Sequence, residues 1–353
     1  MKRLKILHID SGTSWRGGQR QVLLLAKGLR EKGHEQFLIG AQGSPLVDRA
    51  RSEGLAISGI PMAADWDVRA ARRIRARMKT WNVEVVHAHD ARAHALAMIA
   101  LIGSHIPLIV TRRVPFTPRS VRVKYGHRVT RFIAISLAVR RAMMGGGVKG
   151  SRISVVHSGI AKRNEAVVSR DWRAELGWPQ DTVICGIVGA MSAEKGIDLL
   201  EAIGRALTSS ARSHARIVLL GGSADDAREA GGIPVHSAGF VDDIYPAMAG
   251  LDVLWHPSRA EGLGTSIIDA MSLGVPPVAF AVGGIPEVIV DGVSGLLVPE
   301  NDAAQFARAA SRLIDDPALR HQLSEGARLR ATTFGADEMT KGTEAVYKEV
   351  LEG

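Results

Sequence analysis

The sequence predicts an α/β protein of two doubly wound domains facing each other across a cleft. Three observations carry that expectation. Short β-branched apolar runs alternate with helical stretches along the whole chain, which is the pattern of parallel βαβ units. Several of those runs are continuous in apolar residues, as expected when helices cover both faces of a sheet. The 353 residues also exceed one ordinary core, so length points to two domains.

Taken in order, "LKILHI" reads as the first strand, "GQRQVLLLAKGLREKG" as a helix and "EQFLIG" as the second strand. "VEVVHAH", "IPLIVT", "RFIAIS" and "ISVVHSG" continue the first half. The second half repeats the scheme with "VICGIVGA", "ARIVLLGG", "PVHSAGF", "LDVLWHPS" and "VPPVAFAV", each followed by a glycine, a turn or a helix. The polar, aperiodic "SGIAKRNEAVVSR" is the expected boundary. It divides the chain into an N-terminal domain 1–164, a C-terminal domain 165–335 and a terminal helix 336–353 packing back on the first domain. In open parallel sheets ligands bind beyond the carboxyl ends of the strands, so the cleft is where function is expected.

Composition narrows the class. Apolar residues at 46% and charged residues at 23% exclude disorder and fibrous repeats. The opening "MKRLKILHID" is broken by His8 and Asp10, short of a signal peptide's core, and "ALAMIALIG" is about half a membrane span. One cysteine, Cys185, cannot form an internal disulfide. A cytoplasmic protein is expected, with membrane association on the cytoplasmic face open. Charge is divided: residues 1–165 carry 30 Lys or Arg against 10 Asp or Glu, and residues 166–353 carry 15 against 26. That asymmetry points to an anionic partner for the first half. A nucleic acid is disfavoured, because the arginine-rich "RAARRIRARMK" has no aromatic residues interleaved and aromatics are 5% of the chain.

Candidate binding residues follow from glycines and helix starts. Gly17 and Gly18 open the first helix, where free amides favour an anion. Their spacing is not G-x-G-x-x-G and the second strand ends without an acidic residue, which argues against a nicotinamide cofactor. Lys195 in "VGAMSAEKG" is a point charge suited to phosphate oxygens, although a loop lysine is commonly just solvated. In "EGLGTSIIDAMSLG" the chain passes Glu261, Gly262 and Gly264 into a helix starting near Thr265 and Ser266. Its amides suit a diphosphate. Asp269 either grips ribose hydroxyls or, as the last residue of an S-x-x-D box with Ser266, caps its own helix. His89 ends a strand toward the cleft, with His87 deeper on the same side. The histidines lack ligand spacing and the pairs Asp225–Asp226 and Asp242–Asp243 sit in polar loops, so no metal site is expected.

The stretch "HPSRAEGLGTSIIDAMSLGVPPVAFAVGGIPEVIVDGVSGLLVPENDAAQFARAASRLIDD" closely resembles the donor-binding region of glycosyltransferase family 4. "RGGQRQVLLLAKGLREKGHE", "RFIAISLAVRRAMM" and the "EKG" around Lys195 are similar to that family too. The resemblance implies a GT-B fold of two Rossmann-like domains and a retaining, metal-independent transfer from a nucleotide-diphosphate sugar, with no cofactor. It implies that Glu261 lies against the donor sugar as the first acidic residue of an E-x7-E motif, that Asp269 stands at the ribose position where glutamate is usual, and that Lys195 meets the diphosphate. It also implies a base-binding place near Phe240. Two departures stand out. Ala190 replaces the usual phosphate arginine, and Arg113 in "LIVTRRVPF" replaces a histidine of many members. Arg113 could supply the missing charge from the opposite domain. The implied acceptor is a saccharide or lipid-linked saccharide of bacterial surface glycan synthesis. A GT-B nucleotide-sugar epimerase is the enzymatic alternative.

Overall fold

A computed structural model of the chain describes residues 3–117, 126, 128–163, 166–222 and 229–352. It divides into two compact units, Met1–Ala161 with Gly335–Gly353, and Lys162–Phe334. The exchange from the first unit to the second therefore falls at Ala161, inside the expected boundary stretch. Residues 164 and 165 and the pair Asp225–Asp226 lie outside the described residues.

The first unit is a seven-stranded parallel sheet. Its strands are β1 (Lys5–Asp10), β2 (Glu35–Ala41), β3 (Ala56–Ile60), β4 (Val85–Ala88), β5 (Leu108–Arg112), β6 (Arg131–Ala134) and β7 (Ile153–Val155). They lie in the order β3-β2-β1-β4-β5-β6-β7. The second unit contains β8 (Val183–Val188), β9 (Ala215–Leu220), β10 (Glu229–Ala230), β11 (Ile233–Ser237), β12 (Val253–His256), β13 (Pro277–Phe280) and β14 (Leu296–Val298). Their order is β10-β11-β9-β8-β12-β13-β14, parallel except for the β10–β11 pair. The fold is GT-B. In each sheet the strand order reverses once, between β1 and β4 and between β8 and β12, which is where an open α/β sheet leaves a crevice at its carboxyl ends.

Central strands are buried on both faces: β1 after its first residue, β4, β12 and β13. Three strands missing from the sequence reading, β3, β10 and β14, end the two sheets; β10 and β14 are only two and three residues long, and in β3 exposure interrupts the apolar run. β3, for example, has one buried residue among its five.

The helix Ala336–Glu352 belongs to the first unit. Met339, Val346 and Tyr347 enter one core with Leu4, Ile6, Leu25, Leu29, Val85, Ile109 and Ile133. Glu344, buried on the same helix, pairs with Lys32 at 2.9 Å, His34 at 3.4 Å and Lys348. The opposite face of the first helix fills a second core with Val22, Ala26, Leu38 and Leu46. No helix among the described residues is long and apolar enough to cross a membrane.

Candidate functional site

In the second unit, the loops after β8 and β12 meet at the switch point. The chain leaves β8 through Gly189, makes one turn at Ala193–Lys195 and reaches Gly196 at φ +73°. A Cβ on Gly196 would stand 2.1 Å from the Pro257 carbonyl oxygen, so only glycine lets the two loops touch. Arg259 locks that contact. Its guanidinium donates to both carboxylate oxygens of Asp198 at 2.7 Å, to Asn301 Oδ1 at 2.9 Å and to the Ala193 carbonyl.

This clamp brings Lys195 and Glu261 together. Glu261 Oε1 accepts from Lys195 Nζ and from His256 Nε2, the latter at 2.9 Å. His256 is the last, buried residue of β12. Burial alone would raise the Glu261 carboxyl, but the His256 hydrogen bond and the Lys195 charge outweigh it and hold its pKa at about 2. The carboxylate is ionised at any physiological pH. Its backbone is fixed as well, because the Glu261 carbonyl accepts from Gly284 N at 3.2 Å. A Cβ on Gly283 would approach that carbonyl oxygen to 1.8 Å.

Gly262 and Gly264 are buried, and Gly264, at φ +89°, is the N-cap of the helix Thr265–Ser272. The cap has no side-chain hydrogen bond and the first turn has no acidic residue. The first amides of a helix have no intrahelical acceptor, so this end favours an anion. The S-x-x-D alternative is out of register, since the cap is Gly264 rather than Ser266. Asp269 is 2% exposed and accepts instead from the Tyr245 hydroxyl at 3.0 Å. Phe240 follows β11 with 68% of its surface exposed, and Ala190 is exposed.

In the first unit the switch point carries a second cluster. Asp10 ends β1 and accepts from Gly12 N and Gln19 Nε2, both at 2.9 Å. Asp90 caps the helix Ala91–Ala100 and also binds Ser11 through its amide and hydroxyl at 2.6 Å. Burial, then the Asp90 charge, raises the Asp10 carboxyl above its usual range. Gly17 and Gly18 open the helix Gly17–Glu31, and a Cβ on Gly18 would meet Arg113 Cδ at 3.8 Å. Arg113 thus lies over that helix start, 3.5 Å from Ser158 Oγ and 3.4 Å from His89 Nδ1. Burial lowers its pKa to about 10, against the pull of Asp10 and Asp90, and it stays charged near neutrality.

His89 is 3% exposed. Its Nε2 shares a hydrogen bond with His8 Nδ1 at 2.9 Å, and His8 Nε2 meets Gln36 Oε1 at 2.9 Å. His87 spans Tyr347 and Thr111 at 2.6 Å on each side. The reading that the histidines lack ligand spacing is therefore corrected, because His8 and His87 are register partners on β1 and β4 and, with His89, place nitrogens within 4.8 Å of one another. Linear spacing is blind to strand pairing. The ring nitrogens are committed to hydrogen bonds, and burial keeps all three rings neutral, His8 at about 4 and the others well below the usual imidazole value.

Sequence reasoning passed over Asp10, Asp90, Tyr245, His256 and Arg259. Strand-terminal polar residues at the two switch points were the available signal for Asp10, Asp90 and His256. Nothing local marks Tyr245 or Arg259.

With this geometry in place, comparison with known proteins identifies the domains. Residues 15–162 match the family described as Glycosyltransferase Family 4, and residues 182–316 match Glycosyl transferases group 1. The chain carries these two glycosyltransferase domains in succession. It is 31% identical to a D-inositol 3-phosphate glycosyltransferase of Streptomyces bingchenggensis over 59% of this chain and 50% of that one. Such alignments span about half the length of these curated relatives. A 2-deoxystreptamine N-acetyl-D-glucosaminyltransferase of Streptomyces fradiae is 26% identical over 96% of this chain and 93% of its own. Among solved structures, HepE of Anabaena in complex with UDP-glucose superposes with a TM-score of 0.83 at 19% identity, covering 98% of this chain and 100% of that one. Sucrose-phosphate synthase of Thermosynechococcus elongatus gives 0.79 at 19% identity, covering 99% and 100%.

Proposed function

We propose that the chain is a member of glycosyltransferase family 4 that transfers a sugar from a nucleotide-diphosphate sugar to a saccharide or lipid-linked acceptor, with retained configuration and without a metal. The observation that carries the reading is the Lys195–Glu261–His256 constellation beside the uncapped start of the Thr265 helix. Amides of Gly264, Thr265 and Ser266, next to Gly262, take the diphosphate with Lys195, and their combined positive field replaces what a cation would supply. Asp269 holds the ribose, and the exposed ring of Phe240 offers a face for the base. That the HepE structures contain UDP and UDP-glucose supports a nucleotide-sugar donor.

Transfer requires that the acceptor oxygen bond to the anomeric carbon while the bond from that carbon to the diphosphate breaks. The acceptor proton passes to the departing phosphate oxygen on the same face, which retains configuration and needs no protein base. Glu261, ionised throughout, holds sugar hydroxyls or faces the positively charged anomeric centre. In the first unit Arg113 is a fixed charge over the start of the helix Gly17–Glu31, where Gly17 and Gly18 leave room for an anionic group beside it. His89 orients Arg113 through its Nδ1.

Thermal shift against UDP-, GDP- and ADP-sugars tests the donor site, since a ligand bound only by the folded state must raise its stability. One of them is expected to raise the melting temperature, and turnover should persist in EDTA. If none of them raises it, the reading fails.

The helix Val68–Thr80 supports an anionic acceptor environment on the cytoplasmic face of a membrane. It buries Ala70, Ala71, Ile74 and Met78 and exposes Arg69, Arg72, Arg73, Arg77 and Lys79, with Trp66 58% exposed just before it. Each basic residue near an anionic surface contributes about 1 kcal/mol. The protein is expected to float with anionic vesicles at low salt and to be released by high salt. Absence from the lipid fraction would leave a soluble acceptor.

A further inference from the structure

The donor reading places Asp269 at the ribose, and the inference here rests on that reading. Asp269 lies in the second turn of the helix Thr265–Ser272 and is 2% exposed. It is one methylene shorter than the glutamate its position usually carries in the family. A short, buried carboxylate cannot swing out to find a ligand, so its orientation must be set in advance. The contact that sets it comes from another element. Tyr245 is the second residue of the short helix Ile244–Ala249, and its hydroxyl donates to Asp269 Oδ1 at 3.0 Å. The Tyr245 ring is held in turn by Arg163, whose guanidinium carbon lies 3.2 Å from the ring centroid. Arg163, Tyr245 and Asp269 thus form a chain of fixed side chains within one unit.

We propose that Tyr245 is the positioning residue of the ribose site: by holding one oxygen of Asp269 it aims the carboxylate at the ribose hydroxyls, compensating for the methylene that aspartate lacks. Arg163, stacked on the ring, limits where the hydroxyl can go. A hydrogen bond from a sugar hydroxyl to a well-placed carboxylate is worth about 1.5–3 kcal/mol, which is tenfold or more in affinity. Loss of aim should therefore appear as loss of ribose discrimination. It should not appear as a general weakening.

The test is calorimetric titration of whichever of UDP, GDP or ADP the wild-type chain binds best, alongside its 2′,3′-dideoxy counterpart. Wild type should prefer the ribonucleotide about tenfold or more. Tyr245→Phe removes only the hydroxyl; it should cut that preference several-fold while leaving the dideoxy affinity unchanged. Tyr245→Phe with Asp269→Glu should recover much of it, because the longer side chain reaches the ribose without the tether. An unchanged preference in Tyr245→Phe overturns the proposal, as does an equal weakening of both nucleotides, which would mark Tyr245 as merely structural. If wild type binds a ribonucleotide without preferring it to the dideoxy form, Asp269 does not read the ribose and the inference fails while the diphosphate site stands. If no nucleoside diphosphate binds, the donor site itself is wrong and the inference falls with it.

Discussion

Lys195→Ala should lower kcat by about two to three orders of magnitude, the loss typical when one preorganised charge or donor is removed from a developing anion. The donor KM should rise less, because the Thr265 helix still offers its amides to the ground-state diphosphate. Folding should be nearly untouched: Glu261 keeps its bond to His256, and the loop keeps the Arg259–Asp198 clamp. Steady-state kinetics with a cognate donor, together with a melting curve, separate these effects. Turnover within a fewfold of wild type would remove Lys195 from the reaction. Arg113→Ala extends the test to the first unit, where the side chain is partly buried and fixed between His89 and Ser158. If its charge serves the same departing phosphate, turnover should collapse here too, and losses in the double variant should fall short of additive, as for residues that act as a unit. Near-normal turnover in Arg113→Ala would leave Ala190 without a compensating cation.

What could be read directly from the sequence was local. A glycine, an uncapped helix start and two carboxylates eight residues apart lie within one stretch, so Glu261, Gly264 and Asp269 announce themselves along the chain. The central strands did so too, because burial on both faces leaves continuous apolar runs. Edge strands such as β3 did not, since the exposed side interrupts the run. Side chains that meet only through strand pairing or loop contact were also invisible. His8 and His87 are 79 positions apart yet adjacent in register, and Tyr245 reaches Asp269 from a different helix. The same limit kept the histidine cluster out of reach of the spacing argument. Spacing rules assume ligands on one helix or loop, whereas parallel pairing places residues side by side whatever their separation. Arg259 illustrates the remaining gap. As a sequence feature it is an arginine in a loop, and in the fold it is what joins the lysine-bearing and glutamate-bearing loops.

The histidine network carries the largest expected effect on stability, and its direction follows from the depressed pKa values. His8, His87 and His89 stay neutral in the folded chain because burial penalises their charged forms, and mutual repulsion adds to this for His87 and His89. In the unfolded chain each titrates near 6.5. Below that pH the unfolded state binds protons that the folded state refuses, so acid favours unfolding. The loss begins near pH 6.5, and for His8 it continues to about 4, where the folded ring can also protonate. That interval corresponds to about 3 kcal/mol for His8 alone. The contributions of the other two overlap with it, since part of each shift comes from the shared repulsion. Carboxylates act in a separate window: Glu261, held at about 2, contributes stability above about 4.5 that is lost only as the pH falls further. Between 6.5 and 4.5 the depressed histidines dominate, opposed by Asp10, whose raised carboxyl takes up its proton first in the folded chain. Hydrogen-exchange protection, corrected for intrinsic rate, should fall in β1 and β4 across that range while β8 in the other unit holds. His8→Asn, which keeps a polar group near the Nδ1 position and does not titrate, should flatten the response. A flat wild-type profile in β1 and β4 between pH 6.5 and 4.5 would mean that the three rings accept protons in the folded chain, and that the network is not the dry, neutral one the geometry describes.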